Sequence, residues 1–228
     1  MTDYVVIIPT CNRYELCLRA IRSAFDQTHA PSEVFVVDDA STDRRYQWLE
    51  EVIDDPRLTV FRKTVSSRME HATGYAIGAV RNVAIRHTLR IGFTGWVAFL
   101  DDDDEWMPTK TSEQLTARVG RASKYGLVCT NAYNRTPDGV VSGYHHEAHG
   151  VLIADSLVDV TAIVRQFNPV VNSTALIHTS VVERLGDQQA TGRGEDWDYW
   201  QRAARLTGVL RLEEPLAYYT IGNAKEYE

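Results

Sequence analysis

The pentapeptide Trp96-Val-Ala-Phe-Leu100 is wholly apolar and runs without a break into four aspartates, Asp101 to Asp104. A strand apolar on both sides must be covered on both faces, which is the position of an inner strand in a parallel sheet flanked by helices. Four carboxylates cannot follow that strand into the core, so the chain must surface at its carboxyl end. Two other segments repeat the pattern. Tyr4 to Ile8 runs into Pro9-Thr-Cys-Asn-Arg13, and Glu33-Val-Phe-Val-Val-Asp38 runs into Asp39-Ala-Ser-Thr-Asp43. In a parallel sheet three such ends share one rim, the place where open α/β sheets bind ligands.

Between the strands the continuous apolar runs give way to helical periodicity. From Glu15 to Gln27 the apolar positions Leu16, Ala20, Ile21, Ala24 and Phe25 fall on one helical face, and Pro31 separates them from the second strand. Trp48 to Ile53 reads as helix, Leu58 to Phe61 as a short strand, and Ala79 to Arg90 as helix. The alternation predicts an α/β fold with right-handed crossovers. The second half is mixed, with a strand over Gly126 to Asn131, a Gly/His-rich loop from Gly139 to Gly150, and helices near Val158 to Gln166 and Trp197 to Leu206. No repeat or linker cuts the chain, so a single domain is expected, with one lobe over 1–105 and another over 106–228.

The 228 residues, 44% of them hydrophobic, are enough for a full core. A formal net charge of −7 with no Lys/Arg run argues against a nucleic-acid partner. Three cysteines, Cys11, Cys17 and Cys129, form neither a disulfide framework nor a Cys-based zinc site, and a reducing cytoplasm suits them best. The apolar run before Pro9 is too short for a membrane span, so the chain reads as soluble. Peripheral attachment to a membrane through the helix starting near Tyr14, and a homodimer, are left open.

Acidic side chains gathered at one rim repel unless a cation or hydrogen-bond donors compensate them. Hard oxygen ligands select Mg²⁺, Mn²⁺ or Ca²⁺, and Mg²⁺ is commonly held by one or two carboxylates together with substrate phosphates. The aspartate cluster therefore suggests a divalent cation and a phosphate ester. The plainer alternative is a turn with helix-capping aspartates before Trp106-Met-Pro108, and Ser41-Thr42-Asp43 has the same kind of alternative as a helix cap.

These segments resemble the inverting GT-A glycosyltransferases of family 2. Val6-Ile-Ile-Pro-Thr-Cys-Asn-Arg13 is similar to the family's opening strand and loop, and Val36-Val-Asp-Asp-Ala-Ser-Thr-Asp43 to its nucleotide-binding acidic turn. Gly78-Ala-Val-Arg-Asn82 resembles the helix motif before the metal strand, and Ala98-Phe-Leu-Asp-Asp-Asp-Asp-Glu-Trp-Met-Pro108 the metal motif. Gly194-Glu-Asp-Trp-Asp-Tyr-Trp200 is similar to the catalytic-base segment.

The resemblance implies a Rossmann-like, mainly parallel sheet with a smaller mixed α+β lobe on the acceptor side. It implies transfer of a sugar, with inversion, from a UDP-, dTDP- or GDP-linked donor to a carbohydrate or other hydroxyl acceptor, with Mn²⁺ or Mg²⁺ as cofactor. It places Thr10 and Asp39 at the base of the nucleotide, Pro9 and Asn12 in shaping the loop, and Arg13 near the donor. Arg81 then reaches a phosphate or orients the aspartates, and Asn82 serves as a contact between loops. Asp103 is the expected principal metal ligand. Asp101 orients the ribose or a metal-bound water, Asp104 is a further or water-mediated ligand, and Asp102 stands at a variable, tolerant place on the donor side. An inverting displacement needs a base on the face opposite the leaving group to deprotonate the acceptor hydroxyl, and the resemblance gives that role to Asp196, with Glu195 and Asp198 as neighbours that also suit a helix N-terminus.

Two other readings are a sugar-nucleotide pyrophosphorylase and a non-catalytic nucleotide- or carbohydrate-binding module. The first conflicts with the absence of glycine from Pro9 to Arg13, and the second leaves Glu195-Asp196 without a purpose. His145-His146-Glu147-Ala148-His149 lacks a helical setting and reads as an acceptor-side or solvated loop. His178, Tyr218 and Tyr219 read as core or rim residues. Thr220 stands where relatives carry arginine, which puts C-terminal closure over the donor in question. Trp106, Trp197 and Trp200 suit either sugar stacking or packing.

Overall fold

The computed structural model describes residues 3–71, 76–118, 124–144, 157–189 and 194–222. Strand β1 (Tyr4–Thr10) is buried at every position and lies between β2 (Glu33–Asp38) and β4 (Trp96–Phe99), parallel to both. Strand β3 (Leu58–Arg62) extends this parallel set beyond β2. Alternate residues of β1 enter different cores, as the two-residue period of a strand requires. Val6 and Ile8 pack with Cys17, Leu18 and Ile21 of α1 (Tyr14–Phe25) and Leu49 of α2 (Leu49–Ile53). Val5 and Ile7 pack with Val80, Ala84 and Ile85 of α4 (Ile77–Arg90). A short helix, α3 (Ser67–Glu70), precedes α4.

The same sheet continues through the second half of the chain. The strand order is β3-β2-β1-β4-β9-β6-β10-β5. Here β5 is Glu105–Trp106, β6 Tyr125–Arg135, β9 Leu176–His178 and β10 Gly208–Thr220. Strand β9 runs antiparallel to both β4 and β6, while β6 and β10 are parallel to each other. Strands β7 (Val141–Tyr144) and β8 (Leu157–Asp159) attach to β6 and β10. Helix α5 (Lys110–Arg118) packs against β6. Helices α6 (Thr179–Leu185) and α7 (Glu195–Ala203) share the core of α4, through Val181, Val182, Tyr199, Trp200 and Ala203.

Several elements depart from the sequence reading. No helix forms over 158–166. Val158 instead pairs with Arg211 in β8, the Val160 N–H bonds the Val209 carbonyl, and only a 3₁₀ turn at Ile163–Arg165 follows. The β-branched residues of that stretch thus serve a sheet edge. The aromatic tail is the end of β10, whose Pro215 sits at a register shift that accommodates its missing N–H. In the Gly/His-rich loop, 141–144 are β7 and 145–150 lie outside the described residues. Among the described residues, no helix is long and apolar enough to cross a membrane.

Candidate active site

Leu100 still bonds the sheet through its N–H to the Ile7 carbonyl, and the Asp104 N–H returns to the Asp101 carbonyl at 3.1 Å. The four aspartates therefore form one tight turn, and a turn sends successive side chains in different directions. Asp101 and Asp103 remain partly open, with side chains 20% and 17% exposed, whereas Asp102 is fully buried. Asp104 is buried as well.

Each carboxylate has a partner from another element, and Arg13 serves two of them. Arg13, just before α1, pairs with Asp102 through Nη2 and Nε, and donates from Nη1 to Asp103 Oδ2 at 2.8 Å. Arg81 of α4 donates to Asp101 Oδ1 at 2.6 Å. Asp104 accepts from the Ser173 hydroxyl and from the Thr220 N–H at 2.7 Å. The Asp103 carbonyl accepts from Arg19 and from the Thr220 hydroxyl. Burial pushes the Asp102 carboxyl up, with Arg13 pulling against it, and burial pushes Asp104 well up beside Asp103 and Asp101.

Two expectations change. Asp102, expected at a variable, tolerant place on the donor side, is fully buried and pairs with Arg13. Asp104 is turned inward to Ser173 and Thr220 rather than toward a ligand. The protein also supplies much of the positive charge that the acidic rim needs, so repulsion alone does not demand a metal. Among the described residues no cluster of three or more His, Cys, Asp and Glu is disposed to hold an ion by itself. The donor set does fit a hard divalent cation that takes its other ligands from phosphate: two carboxylates, Asp101 and Asp103, partly open on one turn.

A cleft adjoins the turn, lined by Pro9, Thr10, Cys11, Arg13, Asp39, Arg68, Ala76, Ile77 and Val80. Arg13 thus belongs both to the cleft and to the aspartate turn. Asp39 accepts from the Ser67 N–H, the Ser66 hydroxyl and Lys63 Nζ. Burial raises its pKa, but the Ser67 N–H and these donors outweigh burial and hold it below the ordinary value. The Thr10 hydroxyl shares a hydrogen bond with Tyr46 at 2.7 Å. Asn12, at φ +53°, accepts the Thr42 and Asp43 N–H groups with Oδ1 and so clasps the first two rim loops together. Positive φ is tolerated best by asparagine among residues with a Cβ.

On the other side of the turn stands the first turn of α7, preceded by Gly194 at φ +88°, a conformation that favours glycine. Arg81 is fully buried and lies between the two acidic groups, with Nη1 3.5 Å from Glu195 Oε1 while Nη2 holds Asp101. Asp196 accepts from Asn168 Nδ2 at 3.1 Å and from the Trp197 N–H at 2.8 Å. Burial pushes both Glu195 and Asp196 up, against the pull of Arg81. Asn82 and Gln188 exchange two hydrogen bonds of 2.8 Å, tying α4 to the loop before α7. Trp106 and Trp200 are buried packing residues, and Trp197 bonds the Val164 carbonyl.

Sequence reasoning missed Asn168, Asn172, Ser173, Lys63 and Ser66, and did not see that Thr220 closes the aspartate turn. The polar triplet Asn172-Ser173-Thr174, set between Val170-Val171 and Ala175-Leu176-Ile177, was the available signal. Polar residues inside an apolar run need buried partners.

A mainly parallel sheet with helices on both faces, an acidic turn at its rim and a cleft beside it define a GT-A fold. The family model described as Glycosyl transferase family 2 matches residues 5–152, and the chain belongs to that family. Asp196 lies beyond the matched residues. The putative colanic acid biosynthesis glycosyl transferase WcaA of Escherichia coli (strain K12) is 34% identical over 139 residues, which are 60% of this chain and 43% of that protein. An Escherichia coli enzyme, UDP-Glc:alpha-D-GlcNAc-diphosphoundecaprenol beta-1,3-glucosyltransferase WfaP, is 31% identical over 110 residues, 48% of this chain and 39% of its own. The chain thus spans less than half the length of these curated relatives. The crystal structure of S. aureus TarS 1-349 in complex with UDP superposes with a TM-score of 0.70 at 21% identity, covering 96% of this chain and 61% of that one. The UDP-GlcNAc complex of TarS gives 0.68 at 21% identity, over 98% and 60%.

Proposed function

We propose that this chain transfers a sugar from a nucleotide-diphosphate sugar to an acceptor hydroxyl with inversion, using Asp196 as base and a divalent cation, Mn²⁺ or Mg²⁺, at Asp103 and Asp101. The observation that carries this reading is Arg81, a buried guanidinium that meets Asp101 with one nitrogen and Glu195 with another, so that the aspartate turn and the base-bearing end of α7 are held beside one another. A uridine donor is the first to test, because TarS structures are described with UDP and UDP-GlcNAc and WfaP is named for UDP-Glc.

In this reading residues 1–105 carry the donor and 106–228 the base and acceptor side. The cleft from Thr10 to Asp39 takes the nucleoside, with Pro9 and Asn12 shaping it. Arg13 holds the aspartate turn in shape and presents positive charge toward the diphosphate. When bound, the cation neutralises charge on the diphosphate as the glycosidic bond breaks. Asp196 receives the acceptor proton, and its raised pKa, caused chiefly by burial, makes it a better proton acceptor than an ordinary aspartate. Arg81 pulls against the repulsion among Asp101, Glu195 and Asp196.

The test is a thermal-shift panel of UDP-, dTDP- and GDP-sugars with and without Mn²⁺ and Mg²⁺. A ligand at a hundred times its Kd stabilises by about 2.7 kcal/mol. The expected result is a shift with one nucleotide class that grows with metal, and in Asp103→Ala the metal-dependent part disappears. No shift with any nucleotide, or equal losses in Asp103→Ala with and without metal, contradicts the assignment.

A further inference from the structure

The segment between the 3₁₀ turn at 163–165 and β9 carries no function in the reading above, yet three of its side chains each hold a different carboxylate of the site. Asn168 Nδ2 donates to Asp196 Oδ2 at 3.1 Å. Asn172 Nδ2 donates to Asp101 Oδ1 at 3.0 Å. The Ser173 hydroxyl donates to Asp104 Oδ2 and accepts the Asp101 N–H at 3.0 Å. Six consecutive residues thus touch both the base and two members of the aspartate turn.

The backbone between them is held firmly. Val170 is buried in the core of α4 and α7, and Val171 in the core of α1, so adjacent side chains anchor the segment on both faces of the sheet. A 3₁₀ turn over Asn172–Thr174 follows. The Ser173 carbonyl accepts from Trp106 Nε1 at 2.6 Å and the Thr174 carbonyl from Gln114 Nε2 at 2.8 Å. The amide of Asn168 is oriented as well. Its Oδ1 accepts the Val170 N–H at 3.2 Å, which leaves Nδ2, the donor, for Asp196.

We propose that Asn168 is the positioning residue of the base: tied to Asn172 and Ser173 by an anchored backbone, it sets the Asp196 carboxylate relative to Asp101 and hence to the reacting centre. The inference rests on Asp196 being the base. A carboxylate on the first turn of a helix has several rotamers, and the Trp197 N–H restrains only Oδ1. Asn168 restrains the second oxygen, so one carboxylate orientation is favoured before any ligand arrives. Misplacing a reacting group by about 1 Å can lower turnover on the order of a hundredfold.

The test uses Asn168→Ala and Asn168→Asp, with thermal unfolding to establish that both fold. One readout is hydrolysis of UDP-glucose and UDP-GlcNAc with Mn²⁺. The other is the Asp196 carboxyl titration, followed by carbon NMR in labelled protein, which needs no donor. Asn168→Ala is expected to lower kcat by about tenfold or more with the donor KM within about twofold, a split that general destabilisation does not produce. Asn168→Asp sets a second carboxylate against Asp196. Arg81 from α4, Asp101 from the turn, Tyr219 from β10 and Glu195 from the same helix already face that group. The added like charge moves the acid limb and the NMR titration up by about one pH unit.

If Asp196→Asn is inactive but both Asn168 variants keep the parent kcat and the parent Asp196 titration, this inference fails and the base assignment stands. Normal turnover by Asp196→Asn overturns both. If the parent hydrolyses neither donor, the titration decides: an Asp196 curve unmoved in both variants overturns the inference.

Discussion

Two sets of buried charged side chains lie in this fold, and they are treated differently. At the rim, every aspartate of the turn has partners from other elements: Arg13 for Asp102 and Asp103, Arg81 for Asp101, and Ser173 and Thr220 for Asp104. On α5 and β10 the provision is thin. Lys110 is fully buried, its Nζ bonds only Gln114 Oε1 at 2.9 Å, and it stands 4.0 Å from the Trp106 ring centre. Arg211 pairs with Glu213, yet its Nε and Nη1 are buried without partners. Burial raises the free energy of any charge, and only arranged counter-charges and donors offset it. At the rim burial still pushes Asp102 and Asp104 up, but placed partners pull against it, whereas at Lys110 a single hydrogen bond to a neutral amide stands against burial, and burial drives the proton off.

The largest effect that sharpens the contrast is at Asp196. Asp196→Asn keeps the shape and one of the two accepting positions, sets its amide NH2 against the other donor, and cannot accept a proton. A lost general base costs up to about 10⁴-fold in rate. Turnover is expected to fall by about that factor, with metal-dependent nucleotide binding within about twofold of the parent. Because Asp196 is held above the ordinary aspartate value, chiefly by burial, activity in the parent should fall as the pH drops through that raised pKa. An acid limb at or below the ordinary value, or normal turnover in Asp196→Asn, removes the distinction between a poised rim and a merely buried one.

Next in size is the pairing itself. Arg13→Leu leaves Asp102 buried without its counter-charge, and breaking one side of a buried pair costs roughly 3–5 kcal/mol. The unfolding free energy should drop by about that amount, and Asp102→Asn added to Arg13→Leu should recover a good part of it. If Arg13→Leu unfolds like the parent, Asp102 is not a buried partner of Arg13 and the rim is not organised by ion pairs.

The rim was legible in the sequence because strands apolar on both faces can end in acidic clusters only at a sheet edge, and Pro9 to Arg13, Asp38-Asp39 and Asp101 to Asp104 do so. What it concealed was the division within the run. Four identical residues in a tight turn point in different directions, and only the partners Arg13, Ser173 and Thr220, 69 to 117 residues away for the aspartates, decide which face inward. The strap from Asn168 to Ser173 was hidden for a similar reason: its residues act on sites distant in sequence. Strand β8 was read as helix because a stretch of Val, Ile and Ala has no period strong enough to distinguish a buried turn from an edge strand. Lys110 carried no signal at all, since a lysine on the first turn of a helix is ordinarily solvated.

The smallest effect tests Lys110 directly. Burial lowers its pKa from the ordinary 10.5 to about 7. Between those values the unfolded chain holds the proton and the folded chain does not, so the unfolded state binds more protons and stability rises with pH. The slope reaches at most about 1.4 kcal/mol per pH unit, and it disappears below the folded pKa, where both states are charged. Above about pH 9 the buried thiols of Cys17 and Cys129, both pushed up by burial, oppose it, because the unfolded chain then releases protons that the folded chain keeps. Urea unfolding at several pH values from about 7 to 8.5 reads the lysine as the difference between the parent and Lys110→Met, because Asp102 and Asp104, pushed up by burial, contribute an opposing slope to both. Lys110→Met keeps the apolar stem against Trp106, leaves Gln114 Oε1 without its donor at a cost of about 1 kcal/mol, and should flatten the dependence. A slope that persists in Lys110→Met would assign the proton to another group, and the uncompensated site would then be no different in kind from the rim.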